Sequence, residues 1–129
     1  MATEPANPAP GFQKRPGHRV DLEAGPARIR VVFAGETVAD TDAAITVKES
    51  NYASVHYIPL ADVKTDVLKP SGHTTYCPFK GTARYWPLEA NGERAENAVW
   101  AYDMPYDEVA QLQGHVAFYP DRGAQILVD

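Results

Sequence analysis

The sequence predicts a mainly β domain of short antiparallel strands, with one short helix near its C-terminal end. Three observations predict this class. Apolar and polar side chains alternate in several short segments, and in Arg28-Ile29-Arg30-Val31-Val32-Phe33 the alternation would bury one face of a strand. Glycine, proline and asparagine separate these segments at short intervals, and Asn91-Gly92 is a strong hairpin signal. Only one stretch, residues 105–112, has the full pattern of a helix.

The first eighteen residues are predicted to be a flexible Pro-rich tail, because their prolines and glycines leave no periodic apolar face. Residues 19–129 are predicted to form a single β domain, and residues 19–23 would be its first edge strand. The other predicted strands are residues 28–33, 37–39, 45–49, 55–59, 83–88, 98–102, 115–119 and 125–128.

Two segments between these strands are predicted to be helical. Residues 61–68 would form a helical turn. Residues 105–112 would form the one clear helix, since Pro105 stands near its start and acidic residues occupy its first turn. Val109 and Leu112, three residues apart, would give this helix an apolar side.

Composition limits the classes of function. Twelve basic and seventeen acidic residues give a net charge of −5, which opposes general binding to nucleic acids or to anionic membranes. No apolar run approaches the roughly 20 residues that span a bilayer, and no apolar signal-peptide core is present. A single cysteine can form neither an internal disulfide nor a multi-cysteine zinc site. We therefore expect a cytoplasmic protein without a metal or other cofactor.

Residues 73–86 collect the only cysteine, a histidine, a lysine, an arginine and aromatic residues around one turn, as binding sites commonly do. Cys77 would be a nucleophile if His73 or Lys80 favoured its thiolate. The alternative, which the burial statistics of cysteine favour, is a buried and inert thiol. His73 is a candidate acid or base because histidine titrates near neutral pH, and the alternative is a hydrogen-bonded structural histidine.

Lys80 and Arg84 are candidates to hold an anionic ligand, since a guanidinium suits a carboxylate or phosphate and a lysine adds a point charge beside it. The alternative is an exposed turn lysine and a strand arginine paired with a surface carboxylate. Glu49 falls in phase with Ile45 and Val47, so it should point toward the core and need a partner, for which we select Arg84. The alternative is a solvated Glu49 beyond the end of the strand.

The aromatic candidates are Tyr57, Trp100 and Tyr102, which would form apolar walls of a pocket or fill the core. Together these residues predict a pocket for a small anionic ligand beside the turn at residues 77–81, with Glu49, His73 or Cys77 as candidate catalytic groups if the pocket is enzymatic. The alternative is a non-catalytic interaction or structural module. In that case the same block is a packing staple, that is, a segment whose side chains only hold neighbouring parts of the fold together. A homo-oligomer is compatible with either function.

The sequence also resembles the domain-of-unknown-function family 427, which carries a nucleotidyltransferase-like label as well. The resemblance covers residues 20–119 and rests on the motifs VxFxGExVAD at 31–40, KES and VHYIPLADV within 48–63, TxCPFKGxAxY at 75–85, NxxWxY at 97–102 and VAFY at 116–119. It implies a β-tent type of fold, similar to methionine sulfoxide reductase B and small zinc-bearing β domains. Those relatives hold zinc with Cys-x-x-Cys pairs, which this chain lacks. Nucleotidyltransferases usually need paired metal-binding carboxylates together with a Gly-Ser pattern. This chain has no Gly-Ser pattern, so we infer no mechanism from the label.

Overall fold

The computed structural model describes residues 6–129. Within this range the chain forms one short α-helix, α1 (Gly11–Lys14), and ten β-strands. The strands are β1 (Val20–Ala24), β2 (Ile29–Phe33), β3 (Glu36–Thr41), β4 (Ile45–Glu49), β5 (Val55–Pro59), β6 (Thr74–Cys77), β7 (Gly81–Ala90), β8 (Glu93–Tyr102), β9 (His115–Phe118) and β10 (Gln125–Val128).

The strands form two antiparallel sheets. Seven strands make one curled sheet in the order β1-β4-β5-β9-β8-β7-β6, and three make a small sheet in the order β10-β2-β3. The prediction of a mainly β fold is confirmed, and β4, β5 and β10 have the predicted bounds. Strand β6 was not predicted, because its residues were assigned to the turn-rich block at 73–86. The β-tent comparison stays a prediction.

The seven-stranded sheet is buried on both faces, and the period of two in its strands decides which side chain joins which core. On one face, Ile58, Val99 and Phe118 form a hydrophobic core with residues of the small sheet, among them Ile29 and Val31. On the other face lies a cluster rich in aromatic side chains, composed of Val47, Tyr57, Ala83, Tyr85, Trp100, Tyr102, Val109, Leu112 and Ala117. The candidate site lies on this second face.

Strand β7 gives side chains to both cores by ordinary alternation. Tyr85 belongs to the aromatic cluster, and Leu88, three residues further on and therefore on the opposite face, is fully buried in the other core. The pairing with β8 shifts between Trp86 and Leu88, where residues 96–98 of β8 stand opposite Pro87, which has no N–H to give to the ladder. The β7–β8 turn is the predicted Asn91-Gly92 hairpin, and both residues have the positive φ that such a turn requires.

The predicted placement of the helix near the C-terminal end is not confirmed. Residues Asp107–Leu112 form a 3-10 segment with a kink at Val109, and the α-helix is α1 near the N-terminus. Val109 and Leu112 are buried as expected, but a spacing of three residues fits the three-residue turn of a 3-10 helix equally well.

The predicted helical turn at residues 61–68 is two 3-10 segments, Leu60–Asp62 and Thr65–Val67. The described residues include no helix long and apolar enough to cross a membrane.

Residues 6–18 lie against the sheets. The backbone N–H of Gly11 donates to the carbonyl oxygen of Pro78 at 2.9 Å. The N–H of Asn7 donates to a carboxylate oxygen of Asp107 at 2.7 Å, and the N–H of Asp107 donates back to the Asn7 carbonyl at 2.9 Å. These bonds attach the N-terminal segment to the β6–β7 turn and to the 3-10 segment that precedes β9.

The sequence predicts a flexible tail over residues 1–18. Residues 1–5 lie outside the described residues, whereas residues 6–18 contain α1 and a buried Ala9. The division of the chain into a tail and a single β domain at residue 19 stays a prediction.

Candidate functional site

A pocket of about 300 Å³ opens on the aromatic face of the seven-stranded sheet. Its walls are mainly aromatic and aliphatic, and two charged side chains, Glu49 and Lys80, line it as well. The remaining lining residues are Val47, Tyr52, Ala53, Val55, Tyr57, Tyr85, Trp100, Tyr102 and Tyr119.

Strand register places the aromatic walls. Tyr85 of β7 pairs with Trp100 of β8, and Ala83 pairs with Tyr102, so the two β8 aromatics stand on the same face two residues apart. The small side chain of Ala83 leaves space beside Tyr102 in this layer. Tyr57 approaches from β5, and its ring meets Trp100 edge to face with centroids 6.1 Å apart.

Lys80 is the last residue of the turn between β6 and β7. Its N–H donates to the Cys77 carbonyl at 3.3 Å, and its own carbonyl accepts from the N–H of Tyr106 at 3.0 Å. The next residue, Gly81, has φ +119°, and a Cβ added there would lie 3.3 Å from the Met104 carbonyl oxygen. Only glycine suits this position without strain, and the resulting turn directs Lys80 inward.

The Lys80 ammonium donates to Oε1 of Glu49. Lys80 is only 7% exposed, and the Glu49 side chain is 16% exposed. Removing two charges from water is costly, so the pair must be held closely to be stable. Glu49 reaches it as the last residue of β4, on the same face as Val47, which confirms that its side chain turns toward the core.

The second oxygen of Glu49 binds a histidine from the N-terminal segment. His18 Nε2 donates to Oε2 of Glu49 at 2.7 Å, and Ser50 Oγ lies 3.4 Å from His18 Nδ1. The imidazole ring stacks on Phe79, the residue before Lys80. His18, Ser50 and Phe79 also line a neighbouring concavity of about 590 Å³. A continuous chain of polar groups therefore joins the two concavities through Glu49.

Three tyrosines of the pocket, Tyr57, Tyr102 and Tyr119, are held in their neutral form. Burial raises the pKa of both Tyr57 and Tyr102 well above the ordinary value, and Tyr57 Oη accepts a hydrogen bond from Trp100 Nε1 at 3.2 Å. Burial and a hydrogen bond with Tyr85 raise the pKa of Tyr119 to about 12. Near neutral pH these phenols can donate hydrogen bonds to a ligand but do not act as bases.

The fold brings five of the eight predicted site residues together, namely Glu49, Tyr57, Lys80, Trp100 and Tyr102. It places the other three elsewhere. Cys77 is half-buried against the edge of the aromatic cluster and does not line the pocket. His73 is exposed and does not line the pocket, and the centroid of its ring lies 4.8 Å from that of Tyr85.

The predicted partner of Glu49 is wrong. Arg84 alternates with Ala83 and Tyr85 along β7, so it lies on the opposite face of the strand from the pocket. Its guanidinium lies 4.2 Å from the Trp86 ring centroid and 3.4 Å from a carboxylate oxygen of Asp103, both near the surface. Lys80 takes the place that was assigned to Arg84.

Sequence reasoning also missed four residues with polar side chains, of which three line the pocket and one binds Glu49. Tyr85 could have been found, because it is in phase with Ala83 and with the Trp100 of the paired strand. Tyr119 carried the same signal, because it ends the predicted strand at residues 115–119 in phase with Ala117, whereas the exposed Tyr52 follows the end of β4 and carried none. His18 lies in a proline-rich stretch, where no local pattern indicates a contact with a strand thirty residues away.

In the range 6–129, no group of three or more histidine, cysteine, aspartate or glutamate side chains is arranged to hold a metal ion. The polar groups of the pocket are one ammonium, one carboxylate and several phenols, a set that suits an organic ligand with oxygen atoms.

Comparison with known proteins adds a family. A family model described as a domain of unknown function, DUF427, matches residues 21–129. No curated protein matches the chain. The matched range includes all ten strands except the first residue of β1, whereas α1 and His18 precede it.

Proposed function

Because the chain belongs to the DUF427 family of domains of unknown function, we propose its function from the pocket itself: it binds a small anionic ligand with a flat, unsaturated body. One observation carries this proposal. Lys80 is the only buried charged residue in the part of the chain that the structure describes, and it lines an aromatic pocket. A buried ion pair is often no more stabilising than apolar side chains of similar volume, so a lysine in this position suggests a binding role.

The geometry supports a defined orientation for such a ligand. An ammonium has three N–H donors, and Glu49 occupies one of those on Lys80. The other donors can bind a carboxylate or a similar anionic group. Trp100 and Tyr102 line the pocket and supply aromatic wall for the body of the ligand, as in most small-molecule sites, where apolar walls combine with a few polar groups.

Three of the site residues predicted from the sequence have no part in this proposal. Cys77, His73 and Arg84 do not line the pocket. If the pocket is enzymatic, Glu49 is the proton carrier, because it contacts both Lys80 and His18.

A second candidate function is the structural one, in which the block at residues 77–81 is a packing staple. Phe79 favours it, since this residue is 8% exposed and holds the N-terminal segment through contacts with Phe12 and His18. In that case the pair between Lys80 and Glu49 would serve to join the turn to β4, and no ligand would be required.

Fluorescence of Trp100 tests the two functions against each other. The chain has two tryptophans, so Trp86→Phe leaves Trp100 as the only tryptophan, which can be excited at wavelengths that tyrosine does not absorb, and Trp86 lies outside the pocket. This variant is titrated with benzoate and cinnamate, and separately with the matching neutral amides. We expect a saturable change in Trp100 emission with the carboxylates and an affinity at least about tenfold lower for the amides, equivalent to about 1.4 kcal/mol.

Two further substitutions in the same background remove one positive charge each. Lys80→Met should abolish carboxylate binding, whereas Arg84→Met should leave it unchanged, because Arg84 faces away from the pocket. Equal affinities for carboxylates and amides, or equal losses in the two variants, would refute the anionic ligand. No saturable response to any of the four compounds would favour the packing staple.

A further inference from the structure

The Lys80 nitrogen has surroundings that suit covalent chemistry as well as ion pairing. We infer that Lys80 condenses with small aldehydes or ketones that enter the pocket and holds them as an iminium. This inference rests on the proposed function only because it uses the same pocket. It adds carbonyl compounds to the carboxylates as ligands of that pocket.

The first argument is the contrast between Lys80 and the other lysines. Lys48 and Lys64 are about half exposed and form ion pairs at the surface with Glu23 and Glu36. Lys80 is buried and lines the same pocket as the aromatic side chains Tyr85 of β7 and Trp100 and Tyr102 of β8. Desolvation of a lysine in an apolar pocket is one of the ways in which proteins activate its amine as a nucleophile.

The second argument is the carboxylate in direct contact with this amine. Lys80 must lose one proton before its nitrogen can attack, and Glu49 is already hydrogen-bonded to it and can accept that proton. The neutral amine then adds to the carbonyl carbon, the C=O π electrons move to the oxygen, and a second proton passes from the now cationic nitrogen to that oxygen to give a neutral carbinolamine. Glu49 returns its proton to the carbinolamine hydroxyl, which leaves as water as the C=N bond forms.

The charges of the reactants and products in these reaction steps suit a buried site. An ammonium and a carbonyl compound give an iminium and one water, while Glu49 begins and ends as a carboxylate. The pocket therefore contains one positive and one negative charge before and after the reaction. Because no net charge is created in the apolar surroundings, the ion pair with Glu49 stabilises the product iminium as it does the ammonium.

The third argument is the route for protons behind Glu49. Its second oxygen accepts from His18 Nε2, and His18 borders the neighbouring concavity. The imidazole is therefore placed to orient the carboxylate and to exchange protons with solvent on the side away from the pocket. In this scheme His18 is a positioning residue, and Lys80 is the group that touches the substrate.

Reductive trapping on the wild-type chain tests the inference. The protein is incubated at neutral pH with benzaldehyde and sodium cyanoborohydride, which reduces an iminium to a stable secondary amine. Each of the five lysines is then quantified by peptide mass spectrometry. We expect Lys80 to be benzylated severalfold more than Lys14, Lys48, Lys64 or Lys69. Formaldehyde, which needs no pocket, is the reference and should label the exposed lysines at least as fast as Lys80.

Two controls separate the pocket from simple amine reactivity. Excess benzoate should slow benzylation of Lys80 and leave that of Lys48 and Lys64 unchanged. Glu49→Gln should slow benzylation of Lys80 alone, and circular dichroism of the variant should remain that of the wild type. If Glu49→Gln does not fold, the preference for Lys80 over Lys48 and Lys64 on the wild-type chain, with benzaldehyde compared with formaldehyde, decides.

The outcomes distinguish this inference from the proposed function. Benzylation of Lys80 at or below the level of the surface lysines overturns the inference, even if carboxylates bind and change Trp100 emission. Selective benzylation of Lys80 without any binding of carboxylates supports the inference and refutes the anionic ligand.

Discussion

The imidazole of His18 lies flat against the ring of Phe79, with 3.8 Å between the ring centroids and 17° between the planes. This stack fixes the position from which His18 reaches Glu49 on β4. The N-terminal segment thus supplies part of the polar network of the pocket, although it precedes the residues that match the family model. The first prediction concerns how this segment is held.

Gly11→Ala should release the N-terminal segment from the β6–β7 turn. A Cβ at this position would lie 2.7 Å from the Phe79 ring and 2.9 Å from the carbonyl oxygen of Pro78, so the backbone must move. We expect faster hydrogen exchange at the amide of residue 11, which donates to Pro78, and a loss of stability of about 1–3 kcal/mol.

Gly17→Ala is the matched control, because a Cβ there would meet nothing within 4 Å. Its exchange rates and its denaturation midpoint should remain those of the wild type. Equal exchange rates at residue 11 in wild type and Gly11→Ala would show that the segment is not held by this contact.

Lys80→Met should destabilise the fold by about 3 kcal/mol, because it leaves the Glu49 carboxylate without its ammonium partner in a largely buried site. The double variant Lys80→Met with Glu49→Gln should recover part of this loss, since no unpaired charge stays buried. Urea denaturation of both variants and the wild type measures the difference.

Arg84→Met provides the comparison for a surface arginine. The Arg84 side chain is 48% exposed, and its contact with Asp103 is long, so the midpoint of denaturation should not change measurably. A larger loss for Arg84→Met than for Lys80→Met would contradict the assignment of Lys80 as the partner of Glu49.

Alkaline pH should unfold the protein through its pocket tyrosines. Burial raises the pKa of Tyr57 and Tyr102, and that of Tyr119 reaches about 12, all above the reference value of 10.0. The phenol groups of these tyrosines therefore keep their protons to a higher pH in the folded state than in the unfolded state. Their contribution to stability is complete below pH 10 and is lost as the pH rises through the raised values.

The near-ultraviolet absorbance of phenolate checks this expectation. The last part of the absorbance change should coincide with the loss of the far-ultraviolet circular dichroism signal, and Tyr119→Phe should remove one late phenolate of the seven tyrosines. Completion of the whole phenolate titration before any loss of secondary structure would rule the expectation out.

Mild acid should weaken the fold through His56. Burial lowers the pKa of His56 below its ordinary value of 6.5, and its Nδ1 lies 2.8 Å from Thr46 Oγ1. The imidazole of His56 is protonated more readily in the unfolded state than in the folded state. Its contribution to the stability of the fold is therefore complete above pH 6.5 and is lost as the pH falls through the lowered pKa.

The variant His56→Gln isolates this effect, since the other three histidines are the same in both proteins. Between neutral pH and pH 5, approximately the range in which histidine titrates, the free energy of unfolding should fall less in the variant than in the wild type. Equal slopes in the two proteins would show that His56 does not contribute.

The sequence alone determined most of the strands. Side chains in a strand alternate between two faces whatever the rest of the fold does, so residues 45–49, 55–59 and 125–128 could be read from their local pattern. The Asn91-Gly92 turn was equally local, because its geometry depends on two residues that accept positive φ. The helix predicted at residues 105–112 was not confirmed because an apolar spacing of three does not separate an α-helix from a 3-10 segment.

The same limit applies to the site. Local alternation placed Glu49, Trp100 and Tyr102 on inward faces, but it could not say which residues would meet there. That choice depends on strand order and on the N-terminal segment, which bring His18, Lys80 and Tyr119 to Glu49 and Trp100 from distant parts of the sequence. Contacts of this kind are set by packing and hydrogen bonding across the whole molecule, so only the tertiary structure decided that Lys80, and not Arg84, is the partner of Glu49.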